Sequence, residues 1–366
     1  MRLAAICHIS VLSRSAAAWT LPHKTMVSPA ALAYAIVVVD GVLLAVAILQ
    51  VIYGRHAKRR QARGTPSAPP RAILLLIIAA ACLILSYVFD ISSTALLLVK
   101  RSTTPPPTGA NLALIVVSLA LSQGFAPALV FMSAFRFIEA RVQQSVAENA
   151  SPRSRKHKAL QRQVEFALPL LLPLTIVIHL ALFTKAVLET PTMPETYFRT
   201  MNASNYFQRA STAIQGLLFV RVTYRALTLY FAGLRTGEHD PIIRVSILCN
   251  FIPAMFIRTL ALLVFTPLAS NYATPSKPAS STGLVLATCV IDGLTIIISI
   301  QSLLSAAMRP AAQWSPESQA KTPGEREVIE GEVPGDIVGK HKRHDSIALS
   351  PTTANFGDAG FQRLAD

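Results

Sequence analysis

Seven long, mainly apolar runs limit what this chain can fold into. They are Ala30–Tyr53, Ala72–Val99, Leu112–Phe137, Val164–Leu188, Tyr206–Leu234, Ile242–Ala269 and Thr282–Met308. Each matches or exceeds the ~20 residues that cross a hydrocarbon core roughly 30 Å thick at about 1.5 Å per helical residue. Inside lipid no water satisfies a backbone N–H or C=O, so only helices or closed barrels span it. Barrel strands alternate polar and apolar residues, and these runs do not. The expectation is an all-α membrane protein of seven transmembrane helices. A leader, 1–29, precedes the bundle, and a polar tail, 309–366, follows it. The tail is rich in Pro, Ser, Thr and charge and reads as disordered. Ser346 follows Lys340-His341-Lys342-Arg343, and Ser350 precedes Pro351, so both read either as phosphorylation sites or as ordinary tail serines.

The leader has two readings. Arg2, the short stretch Leu3–Leu12 and Ala16-Ala17-Ala18 have the order of a cleaved signal peptide, although His8 and Ser10 interrupt the stretch. The other reading is an unstructured leader, with Met26 standing just before the first run as an alternative start.

Charge placement sets an orientation. Only 14% of residues are charged, against about 25% in soluble domains. Most of the charge behind the net +15 lies in loops and tails beside the runs, where cations meet anionic lipid headgroups. Membrane lipids are therefore the expected partners of this charge, and nucleic acid is not. Loops after the first, third and fifth runs hold thirteen Lys and Arg, whereas the three opposite loops hold Lys100, Arg101, Arg199 and Lys277. The positive-inside rule then puts the N-terminus outside and the C-terminus in the cytoplasm. The sequon Asn202-Ala203-Ser204 falls in an outer loop on this reading and is a candidate glycosylation site. Arg153, Arg155, Lys156 and Lys158 fall in the loop from Arg141 to Arg162, a candidate surface for a cytoplasmic signalling partner or for anionic lipid.

Ionisable groups inside hydrocarbon cost about 2.5–3.5 kcal/mol near the centre and persist only when paired, wet or snorkelling. Asp40 and Asp292 sit near the middles of the first and last runs, Arg221 and Arg225 on one face of the fifth, and His179 and Gln123 near the centres of the fourth and third. First and last helices of a seven-helix ring are neighbours, so Asp40 and Asp292 are expected to share a cation such as Arg221 or to hold a proton. Asp90 and Arg258 lie at matched depth, roughly 6–8 Å outward of the midplane, which suggests that they pair. These residues read either as a polar cavity for a ligand or as salt bridges that set helix order. Pro127, Pro169, Pro173 and Pro253 favour kinks within the runs.

Chemistry-bearing motifs are missing. Cys7, Cys82, Cys249 and Cys289 are scattered, with no metal spacing and no external disulfide pair. No DDxxD, HExxH, GxSxG or GxxxxGK[ST] pattern occurs, and no metal or cofactor is expected.

The N-out seven-span layout resembles a G-protein-coupled receptor. Its third run ends Phe135-Arg136-Phe137-Ile138-Glu139, with Arg136 near the position of a DRY arginine but no acid before it. The seventh run reads Ile298-Ser299-Ile300-Gln301-Ser302-Leu303, where that class carries NPxxY. A closer likeness is to a set of fungal seven-helix membrane proteins. It is carried by Gly124-Phe125-Ala126-Pro127-Ala128-Leu129 with Arg136, and by Ile252-Pro253-Ala254-Met255-Phe256-Ile257-Arg258. That resemblance implies a receptor-like or lipid-exporter-like role and brings no catalytic residues. The leading reading is a receptor-like protein sensing a small lipophilic external molecule among Asp90, Gln123, Arg258 and Asp292. A transporter or lipid exporter is the alternative, and a membrane enzyme of a secondary-metabolite pathway the third.

Overall fold

Helix propensity does not stop where hydrocarbon stops, and the helices outrun the apolar runs that predicted them. The computed structural model describes residues 29–62, 69–99, 109–146, 152–189, 194–236, 240, 242–272 and 281–309. Among them the helices are α1 (Pro29–Ala62), α2 (Pro70–Val99), α3, α4 (Pro152–Glu189), α5 (Pro194–Thr236), α6 and α7 (Ser281–Ala307). Helix α3 consists of Gly109–Leu119, a π-helical stretch Ala120–Phe125, and Ala126–Val146. Helix α6 consists of a π-helical stretch Ile242–Phe251 followed by Ile252–Tyr272. Seven helices are long and apolar enough to cross a membrane. All described residues fall in one compact unit, Met1–Lys321. The leader and the tail past 309 lie outside the described residues.

The largest extensions run through basic sequence. Arg55, Lys58, Arg59 and Arg60 form the last turns of α1, because Lys, Arg, Gln and Ala are good helix formers once out of lipid. The segment from Arg141 to Arg162, expected as one loop, is helical except for 147–151, which lie outside the described residues. Asn202, expected in an outer loop, is an exposed residue in the third turn of α5. That helix opens on Pro194, whose fixed φ suits a first helical position.

Side-chain contacts set the helix order. Gly54 of α1 packs on Ile77 of α2; Ser133 of α3 bonds the Ala72 carbonyl of α2, and Ser86 bonds Ser118. Gly124 meets Pro173 of α4, His179 of α4 meets Ser204 of α5, and Arg258 of α6 reaches both Gln215 of α5 and Asp292 of α7. Gln50 of α1 donates to the Ile297 carbonyl of α7 at 2.7 Å, which closes the ring. Helix α3 also touches α6, where Phe131 and Phe251 pack edge to face. It carries Phe131, Phe137 and Ile138 into the core beside Ile300 and Leu304 of α7.

The bundle's buried polar residues lie within a mainly apolar core, and its outer faces are apolar as well. Helix α1 presents Val38, Val42, Leu49 and Ile52 on one outer face, each about 60% exposed. Stripes of this kind recur on α5 at Leu217, Val220, Tyr224 and Phe231. In water they would be an aggregation hazard; in lipid they are the solvated face.

Both π-helical stretches share one local feature. Each ends two residues before a proline: Phe125 before Pro127, and Phe251 before Pro253. A proline ring clashes with the carbonyl four residues back and offers that carbonyl no N–H. Widening the preceding turn relieves the clash, and the Ala126 N–H indeed bonds to Leu121 O, five residues back. Pro169 and Pro173 of α4 are carried in ordinary α-helix.

Candidate functional site

The polar groups gather at three places. The innermost is built on Arg258, 1% exposed in the middle of α6. Its Nη1 pairs with the Asp292 carboxylate and donates to the Asp292 carbonyl at 3.2 Å, while Nε donates to Gln215 Oε1 at 3.3 Å. One guanidinium thereby joins α5, α6 and α7. A buried charge in low dielectric requires this kind of compensation. Gly293, next to Asp292, lets two further helices approach. A Cβ there would lie 2.5 Å from Leu43 Cδ1 of α1 and 3.1 Å from the Tyr87 hydroxyl of α2. Asp40 is buried on α1, one turn before Leu43. Asp90 is half-buried in α2, three residues after Tyr87. The expected partner of Arg258 was Asp90; the structure seats Asp292 against it.

Much of the remaining polarity of α7 is satisfied locally. Thr295, Ser299 and Ser302 return their hydroxyls to the carbonyls of Ile291, Thr295 and Ile298. Such back-bonding removes them as ligand-directed donors.

A second place joins α4 to α5. His179 Nδ1 lies 2.9 Å from the Ser204 carbonyl. The Ser204 hydroxyl donates to the His179 carbonyl at 3.0 Å. A carbonyl only accepts, so Nδ1 carries the proton. This reciprocal pair is a bolt between helices.

The third place is the end of the bundle that carries the basic residues. Glu165, 5% exposed, accepts from Arg221 at 3.3 Å and Arg225 at 2.9 Å. Arg221, named as one cation that Asp40 and Asp292 could share, sits on Glu165 instead. Arg141, expected in a loop, is a buried residue of α3. It holds Asp240 through a hydrogen bond from Nη2 to Oδ1 at 3.0 Å and an ion contact, Nε–Oδ2, at 2.8 Å. Asp240 Oδ1 also accepts the Ile242 N–H at 2.8 Å and so caps α6. Arg136 lies 3.7 Å over the Phe166 ring and 3.3 Å from Glu139. Arg153, Arg155, Lys156 and Lys158 stand in the first turns of α4.

Gln123 differs from all of these. It lies in the π-helical stretch of α3, is 1% exposed, and neither amide atom has a hydrogen-bond partner among the described residues. A buried unpaired amide costs about 1–3 kcal/mol, and π-helical insertions are frequent at functional sites.

Glu165, Asp240, Gln215 and Gln50 were missed by the sequence reading. Glu165 stands at the very edge of its apolar run, where it counts as loop. The usable signal was Arg221 and Arg225, spaced four apart on one face, which require an acid at their depth on a neighbour. Among the described residues no group of three or more His, Cys, Asp and Glu is placed to hold a metal ion. Compared with known proteins, the chain matches no family model, no curated protein and no solved structure.

Proposed function

We infer that this seven-helix protein is receptor-like, with its N-terminus outside and its tail in the cytoplasm, and senses a small lipophilic external molecule. The observation that carries the reading is the Arg258 centre, a buried ion pair that holds α6 between α5 and α7. The start of the same helix is held by Arg141 through Asp240. Between the two contacts lie a ten-residue π-helical stretch and Pro253, the weakest backbone in the helix. A ligand that competes for Arg258 or Asp292 would free α6 to shift at the basic end. Gln123, with its unpartnered amide, would offer a ligand that reached α3 a hydrogen bond. The basic first turns of α4 at Arg153, Arg155, Lys156 and Lys158 would meet a cytoplasmic partner. The thirteen-to-four bias of Lys and Arg supports the orientation.

The test uses the full chain in lipid nanodiscs, cysteine-free, with spin labels at Arg59→Cys of α1 and Arg244→Cys of α6, both exposed. Asp292→Asn should move the label distance by about 5 Å, on the order of one helical turn. Glu165→Gln, which breaks a buried pair elsewhere, should leave it in place. A distance unmoved by Asp292→Asn removes the switch. The transporter or lipid-exporter alternative draws on the mainly apolar groove between α1 and α6, which Gln50, Asn250 and Gln301 also line, and requires substrate movement in proteoliposomes with no partner present.

A further inference from the structure

A groove of about 380 Å³ runs between α1 and α6 with α7 as its floor. Val46 and Ile298 form apolar walls, and the polar lining is Gln50, Asn250, Gln301, Ser302 and Ser305, with no formal charge. Its volume is within the range of small-ligand pockets, ~300–1,000 Å³. The apolar faces beside it, Leu49 of α1, Val245 of α6 and Ile298 of α7, are exposed, so it opens toward acyl chains.

Gln50 defines what can bind. It is 1% exposed, and its Nε2 donates to the Ile297 carbonyl at 2.7 Å. A carbonyl cannot donate, so the amide cannot be turned around. That leaves Oε1, an acceptor with no partner among the described residues. Ser302 is already committed to the Ile298 carbonyl, and Gln301 is only loosely held by Ser305 at 3.5 Å. The groove therefore asks for a hydrogen-bond donor on an otherwise apolar body. Depth narrows the choice further. Gln50 precedes Arg55, the first residue of the basic run, by five residues, about 7–8 Å along the helix. A phosphate-bearing headgroup would stay at the level of the arginines, whereas a lone hydroxyl can follow its chain down to Gln50.

We propose that this groove is a binding site for an uncharged lipid whose one polar group is a hydroxyl, held by Gln50 Oε1 and flanked by Asn250 and Gln301. The site is separate from the Arg258 centre and does not depend on the receptor reading. The probe is a diazirine-bearing long-chain alcohol, compared with its O-methyl ether, on the purified full chain in nanodiscs. The alcohol should label peptides containing Gln50, Asn250 and Gln301–Ser305 above other lipid-facing peptides. The ether, which lacks the donor, should label them roughly three- to tenfold less, the ratio one hydrogen bond supplies. Gln50→Leu should reduce alcohol labelling to the ether level. Because Gln50 also joins α1 to α7, Asn250→Leu with Gln301→Leu provides a second test: both side chains are exposed, and filling the rim should lower alcohol labelling without altering thermal stability. Equal labelling by alcohol and ether, or full labelling in the rim double variant, overturns the proposal.

Discussion

Glu165 is a buried carboxylate at the edge of its apolar run with two guanidinium groups on it, and neither side of that contact is dispensable by itself. Removing one partner of a buried pair leaves the other charge uncompensated, at a cost of about 3–5 kcal/mol. Glu165→Gln should therefore lower the thermal midpoint of the purified protein sharply. Adding Arg225→Gln should restore part of the loss, because one stranded charge goes with it; a fully additive double variant would show that the contact carries no coupling. Arg221 is more exposed, at 38% of its side chain, and its replacement should cost less. The two glycines that follow buried aspartates make a matched comparison. Gly293→Ala drives a Cβ into Leu43 and the Tyr87 hydroxyl, an overpacking of about 1–3 kcal/mol. Gly41→Ala meets nothing within 4 Å and should stay within about 0.5 kcal/mol of neutral. If both glycines tolerate alanine equally in thermal unfolding, the close approach of α1 and α2 to α7 is not as described. At this scale the sequence was half legible. Asp40, Arg258 and Asp292 announced themselves as charges inside apolar runs, but nothing local says that Arg258 takes Asp292 or that Arg221 takes Glu165.

At the scale of elements, the prolines matter more than the apolar runs. Pro127 and Pro253 each sit two residues past a π-helical stretch, and if they cause it, restoring the N–H should remove it. Pro253→Ala should let residue 253 bond the Cys249 carbonyl. Amides around 249–253 should then gain hydrogen-exchange protection on the order of tenfold, from a change worth up to ~3 kcal/mol in a helix interior. Unchanged exchange would mean that packing, not the proline, widens the helix. Prolines in the runs were read as kinks; Pro127 and Pro253 follow π-helical stretches, whereas Pro169 and Pro173 lie in ordinary α-helix. A missing donor can be absorbed by tilting the helix or by adding a residue to the turn, and the neighbour decides. Gly124, pressed to within Cβ-contact distance of Pro173, belongs to the turn that widened. Element number was legible because a span must be continuously apolar. Element ends were not, because Arg, Lys, Gln and Glu extend α1, α3 and α4 into regions that hydropathy reads as loop.

For the whole molecule, seven crossings require the two termini to lie on opposite sides of a membrane. Tags placed at each end of the full chain in intact cells should differ in protease accessibility, with the N-terminal tag exposed and the C-terminal tag protected. Both on one side would overturn the count and the orientation together. What the sequence determined by itself was the solvent of each segment: an apolar run of this length has no stable place but lipid or a helical core, and that holds before any contact forms. The tertiary structure alone decided the partners. Hydropathy is a property of one residue and its neighbours along the chain, but an ion pair is a property of two helices at one depth and one rotation. That is why Glu165, Gln215 and Asp240 became visible only when the ring of helices closed.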